Sequence, residues 1–156
     1  MSQSQSRQHA QVERKIDVTW EGDLSSGNGT IVGGTSGAVA NLPVSWPSRV
    51  EAPAGKTSPE ELLAASHASC YAMALAYELT GRRTPPERLQ VSANIGLDPK
   101  VGGGFEVSFS RLTVTGQVPG IDQTAFTEAA RQAEQGCPIS NALRGNVEIL
   151  VDAKLA

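Results

Sequence analysis

The stretch Ser58–Gly81, SPEELLAASHASCYAMALAYELTG, decides how the rest of the chain folds. Its local signals predict one helix from end to end. Ser58 can cap the start, Pro59 suits the first helical position, and Glu61 completes a capping box of the S-x-x-E type. Gly81 is expected to stop the helix, with Arg82 and Arg83 beside the last carbonyls. No Gly or Pro interrupts the interior. Between Leu62 and Leu79 the clearly polar side chains are Ser66, His67, Ser69 and Glu78. A surface helix carries one apolar stripe, but here apolar residues occupy all faces, so burial on most sides is expected. The small residues Ala64, Ala65, Ala68, Ala72, Ala74 and Ala76 permit close approach by strands or another helix. The segment is too short and too often interrupted by polar groups to span a membrane.

Cys70 sits in the middle of this helix. Helical spacing places Leu63, Ser66, His67, Met73, Ala74 and Tyr77 beside it. Two readings stay open at this point: a small buried hydrophobe, or a thiol with chemical work to do. The helix dipole gives a mid-helix sulfur little help, because its effect fades within the first turn. Apolar surroundings raise a thiol pKa, so a thiolate here needs a nearby cation. The chain has 13 Lys and Arg residues, and spacing alone does not choose among them.

A length of 156 residues fits a single domain with a real core. Apolar residues make up 39% and aromatic residues 4%, so that core must be mainly aliphatic and small. A net charge of -3 leaves no basic excess to neutralise phosphates, which argues against a nucleic-acid partner. No basic amphipathic segment suggests a membrane surface. Two cysteines do not make a secreted disulfide framework, and the polar start MSQSQSRQHAQVERK lacks the apolar run of a secretory signal. A cytoplasmic location is therefore expected, where a pair of thiols more often has redox or catalytic work. Residues 1–10 read as a disordered polar tail, and residues 11–156 as one domain.

On the N-terminal side of the helix, partial alternation at Ile16, Val18 and Trp20 suggests a strand. GDLSSGNG turns the chain and a second strand begins at Gly29–Val32. Short segments follow around Ala38–Leu42 and Val44–Val50. On the C-terminal side, Leu89, Val91, Ala93, Ile95 and Leu97 alternate onto one face, and Phe105–Val118 forms a longer strand. Gly102–Gly104 turns between them, giving a hairpin. Thr124–Gln135 reads as a second helix capped near Asp122 and ended by Gly136. Pro138–Leu143 adds a helical turn, and Val147–Leu155 a last strand. This order is α+β with a largely antiparallel sheet. Glycine runs lie only in hairpin turns, so no phosphate cradle is expected.

The second cysteine stands in GCPISNAL, Gly136–Leu143. Pro138 fits a helix start, which puts Cys137 near the cap at the positive end. The bland reading is a turn residue before a short helix. The two cysteines do not form a C-x-x-C motif, so a thioredoxin-type site is excluded. His67, three residues before Cys70, raises a Cys–His nucleophile with the imidazole as base, although no third orienting group is visible. A metal site is poorly supplied, since His9 lies in the tail and no close pair of cysteines exists.

PEELLAASHASC followed by CPIS resembles the OsmC/Ohr family of thiol-dependent hydroperoxide reductases. W-E-G-D at Trp20–Asp23 and V-P-G-I-D at Val118–Asp122 are similar to its OsmC branch (osmotically inducible protein C). The resemblance covers the chain from about Val12 onward. It implies that Cys70 is the peroxidatic cysteine and Cys137 the resolving one. It implies further that Arg49, in SWPSRVE, stabilises the thiolate and engages the peroxide, and that Glu60 holds that arginine. A planar guanidinium can pair with a carboxylate and still face a sulfur. The implied fold is an intertwined homodimer in which long central helices are wrapped by sheet from both chains. The implied activity is reduction of organic hydroperoxides to alcohols through a Cys70 sulfenic acid and a Cys70–Cys137 disulfide, in defence against oxidative or osmotic stress. No cofactor is implied; the reductant is an external dihydrolipoyl group, often on a lipoylated protein. Leu63, Met73 and Tyr77 are expected to line a pocket for the alkyl chain. A non-catalytic small-molecule binding protein of the same fold is the bland rival.

Overall fold

The computed structural model describes residues 10–156. The expected polar tail at residues 1–10 thus lies, but for Ala10, outside the described residues. The chain forms two compact units, one running up to Ser58 and one from Pro59 to Ala156.

The first unit is a three-stranded antiparallel meander of β1 (Ile16–Glu21), β2 (Asn28–Gly34) and β3 (Ala40–Val44), in that order across the sheet. The β1–β2 turn is built on Asp23. Its carboxylate accepts hydrogen bonds from the hydroxyls and backbone N–H groups of Ser26 and Ser25 at 2.6–2.9 Å. These donors, Ser26 first, hold the carboxyl well below the ordinary carboxylate range. The segment expected around Val44–Val50 divides. Its first residue ends β3, and Trp46–Val50 forms the single-turn helix α1. Ser45 caps α1 by a reciprocal box with Ser48, and Pro47 lies in the first turn, where a missing N–H costs nothing.

The second unit begins with α2 (Pro59–Gly81), which has the expected length. The helix stops at Gly81, as expected, but by a different closing device. Gly81 is the last helical residue, and the left-handed position belongs to Arg83, at φ 64°. Arg83 N–H donates to Thr80 O and Thr84 N–H to Leu79 O, both at 3.0 Å, which is a Schellman closure. Pro85 and Pro86 then prevent continuation.

Burial of α2 also needs a correction. Within the chain it is not covered on most sides. One stripe at four-residue spacing, His67, Tyr71, Leu75 and Leu79, is fully buried, while Met73 is 68% and Tyr77 82% exposed. The second unit offers α2 one sheet and two further helices, one of them a short turn, which together cover one face.

That sheet contains β4 (Arg88–Pro99), β5 (Phe105–Gln117) and β6 (Glu148–Leu155), with β5 central. β4 and β5 form the expected antiparallel hairpin, turned by Gly102, Gly103 and Gly104, all at positive φ. β5 and β6 pair in parallel, so the sheet is mixed. A parallel neighbour requires a crossover, and α3 (Gln123–Gly136) and α4 (Pro138–Leu143) supply it. Asp122 caps α3 by accepting from Ala125 N–H at 2.8 Å, as expected. Phe126, Ala129, Ala130 and Ala133 of α3 close the core against Tyr71, Leu75, Leu79, Leu112 and Val114. Each fully buried leucine contributes about 1.5–3 kcal/mol. Gly116 is required by this packing, because a Cβ there would fall 2.5 Å from the Phe126 ring.

Candidate active site

Three elements of the second unit meet at the two cysteines. Cys70 comes from the middle of α2. Cys137 is at once the C-cap of α3 and the N-cap of α4. Its N–H donates to Glu134 O, and its sulfur accepts from Ser140 N–H at 3.5 Å. Pro138 follows at the first position of α4 and adds no orphan donor. The two Sγ atoms lie 3.3 Å apart, both as free thiols. A disulfide needs about 2.05 Å, so closure requires the sulfurs to approach by roughly 1.3 Å.

The two sulfurs differ in surroundings. Cys137 is completely buried and Cys70 partly so. Burial pushes the Cys70 thiol up from its ordinary value; the Ile139 N–H opposes this, and the neighbouring Cys137 adds to it. The expected upward pressure on a mid-helix, apolar thiol is thus present.

Cys70 opens onto a cavity of about 470 Å³ between α2 and α3. Met73, Tyr77 and Ala74 form its α2 wall, and Gln132, Ala133 and Pro138 lie opposite. Met73 and Tyr77 therefore stand where the sequence placed them relative to Cys70. Leu63, half-buried, lies outside the cavity lining.

Glu60 is buried in the first turn of α2. Arg49 belongs to the first unit, in the last turn of α1, with its guanidinium carbon 5.9 Å from the centre of the Trp46 ring.

His67 has a role that sequence reasoning missed. It is completely buried, with Nδ1 2.6 Å from Ser110 Oγ on β5 and Nε2 2.7 Å from Ser140 Oγ on α4. Both ring nitrogens are thereby occupied by hydroxyls, which leaves neither to act as base on Cys70. Burial lowers its pKa, opposed in part by Glu134. The signal for this network was the histidine itself, since an imidazole in so dry a helix needs buried partners. A second pair, also unanticipated, ties α4 to α3. Arg144 Nη2 lies 2.7 Å from Glu134 Oε1 and donates to Glu134 O and Asn141 Oδ1 at 3.2 Å. Among the described residues no helix is long and apolar enough to cross a membrane.

Residues 52–152 match the family model described as OsmC-like protein. The chain is 37% identical to peroxiredoxin OsmC of Escherichia coli (strain K12), over 92% of this chain and 97% of that protein. It is 32% identical to an organic hydroperoxide resistance protein of Xanthomonas axonopodis pv. citri, over 60% of this chain and 63% of that protein. The crystal structure of the organic hydroperoxide resistance protein OhrB of Bacillus subtilis superposes with a TM-score of 0.70 at 26% identity, covering 90% of this chain and 98% of that one. With a matching family model, a full-length relative and a shared fold, the chain belongs to the OsmC-like family.

Proposed function

We propose that the chain is a cysteine peroxidase that reduces organic hydroperoxides to alcohols. The observation that carries this reading is the pair of free thiols 3.3 Å apart, one of which, Cys70, lines a largely apolar cavity. The names of the relatives, a peroxiredoxin and organic hydroperoxide resistance proteins, support the same substrate class.

In this reading the Cys70 thiolate attacks the distal peroxide oxygen. The O–O bond breaks, the alkoxide leaves and takes up a proton, and Cys70 becomes a sulfenic acid. Cys137 then attacks the Cys70 sulfur, and the S–O bond breaks as the S–S bond forms. The oxygen departs as water with the Cys137 proton. An external dithiol reduces the disulfide by exchange; the family resemblance favours a dihydrolipoyl group, free or on a lipoylated protein. Arg49, held by Glu60, would supply the cation that a buried Cys70 thiolate needs. The alkyl group of the peroxide would rest on Met73 and Tyr77. The cycle draws on no metal, haem or flavin. A cytoplasmic role in oxidative or osmotic stress defence goes with it.

Peroxide consumption tests this with dihydrolipoamide and thioredoxin as alternative reductants, and with cumene hydroperoxide and hydrogen peroxide as alternative substrates. Turnover with dihydrolipoamide and a higher specificity constant for the organic peroxide is expected. No turnover with either dithiol, or equal constants for the two peroxides, would count against it.

The same reading includes a homodimer. The exposed side chains of Met73 and Tyr77 on α2, at 68% and 82%, are apolar surface that a second copy would cover. Light scattering should give twice the chain mass; a stable, active monomer would refute the dimer.

A further inference from the structure

The two sulfurs could touch only briefly, or be held together. The contacts around them form a closed ring. Cys137 Sγ meets Cys70 Sγ at 3.3 Å and the Ser140 N–H at 3.5 Å. Ser140 Oγ meets His67 Nε2 at 2.7 Å. His67 returns to Cys70 through one turn of α2, three residues on. Ser110 Oγ, from the central strand β5, fixes the far side of the imidazole at 2.6 Å.

We infer that the His67–Ser140 hydrogen bond is a clamp that holds Cys137 against Cys70, so that both residues position the sulfurs for disulfide closure. The other ties of α4 do different work. Arg144, through Glu134, fastens α4 to α3 rather than to the helix bearing Cys70. The Ile139 N–H faces α2 through the Cys70 sulfur itself, and that sulfur changes chemically during the reaction. The His67–Ser140 bond uses no sulfur, so it does not depend on oxidation state. It is also fully buried, where losing one partner leaves the other unsatisfied at about 1–3 kcal/mol.

The consequence is an effective concentration. Two groups held in near-attack geometry react far faster than free ones, and a misplacement of about 1 Å can cost roughly a hundredfold. In turnover, which rests on the peroxidase reading, closure competes with a second peroxide. The Cys70 sulfenic acid either loses its oxygen as water to Cys137, giving the disulfide, or takes another peroxide oxygen and becomes sulfinic acid. The clamp favours the first outcome.

The test is equilibrium of the intact protein with reduced and oxidised glutathione, with the Cys70–Cys137 disulfide counted by mass spectrometry. No peroxide enters, so a Cys70 inert to peroxide would remove the peroxidase reading and leave this result standing. Ser140→Ala should lower the effective concentration of the thiol pair by about tenfold or more. His67→Gln, whose amide reaches the place of Nε2, should retain most of it. His67→Asn, whose amide reaches only the place of Nδ1, should lose it. A merely structural histidine would give no such order. An unchanged value in Ser140→Ala, or His67→Asn equal to or better than His67→Gln, would overturn the clamp.

Discussion

The Sγ atoms of Cys70 and Cys137 stand 3.3 Å apart, although 67 residues separate them in the chain. One sulfur is carried by the middle of a 23-residue helix, the other by the corner between two helices. Neither position can slide without disturbing helical hydrogen bonds, so the pair is preorganised before any oxidant arrives. The same burial that fixes the pair opposes ionisation of Cys70, and this sets the terms of the first prediction.

A Cys70 thiolate in an apolar setting requires a counter-charge, and the proposed reading assigns it to Arg49. Arg49→Ala should raise the pH midpoint of Cys70 alkylation by about one pH unit or more. Peroxide turnover should fall further than the lost thiolate alone explains, because the guanidinium would also stabilise charge developing on the peroxide oxygens. Glu60→Gln should act in the same direction but more mildly. Alkylation and turnover measured against pH decide this. An Arg49→Ala protein unchanged in both would transfer the role to another basic residue, Lys56 first.

His67 predicts how stability depends on pH. Its folded pKa lies below the ordinary value of 6.5, mainly because burial disfavours the imidazolium. Below that ordinary value the unfolded chain binds a proton that the folded chain refuses. The stabilisation is therefore complete above about pH 6.5 and is lost as pH falls toward the lower folded value, by at most about 1.4 kcal/mol per pH unit. Urea midpoints should drop between about pH 7 and about pH 5, and His67→Gln should flatten that decline. A wild-type midpoint as flat as that of His67→Gln would contradict the prediction.

Arg83 occupies a left-handed position at the end of α2, at φ 64°. That conformation costs an L-residue about 1–2 kcal/mol, part of which glycine forfeits as entropy. Arg83→Gly should therefore stabilise the protein by about 0.5–1 kcal/mol. Chemical denaturation measures it. A loss of stability would mean that the arginine side chain contributes more than its backbone strain costs.

Local structure was legible where it depends on neighbouring residues. The start of α2, the β4–β5 hairpin and the Asp122 cap follow from turn and capping chemistry within a few positions. The parallel partner of β5 was not legible, because β6 joins it only after the α3–α4 crossover and alternation does not say which strand is adjacent. The end of α2 falls at Gly81, as the sequence suggests, but the left-handed closing residue is Arg83 and not the glycine, which composition near the helix end does not reveal. At the site, both cysteines stood out for their setting, and the family resemblance gave them roles. Ser110 and Ser140 did not stand out. They lie 43 and 73 residues from His67, and a serine in a strand or short helix is unremarkable until the fold delivers it to an imidazole. Which faces of α2 this chain itself leaves open was not legible, because composition reports how apolar a helix is, not how many elements one chain has to cover it.

The most direct test of the central claim is to give the reduced protein one equivalent of cumene hydroperoxide and map its cysteines by mass spectrometry. The account predicts loss of two hydrogens and a single new cross-link joining the Cys70 and Cys137 peptides. In Cys137→Ser the oxygen should instead stay on Cys70 as sulfenic acid, passing to sulfinic acid with excess peroxide, and Cys70→Ser should take up no oxygen at residue 137. Oxidation of Cys137 in the absence of the Cys70 sulfur, or a wild-type protein whose two thiols survive the peroxide, would contradict it.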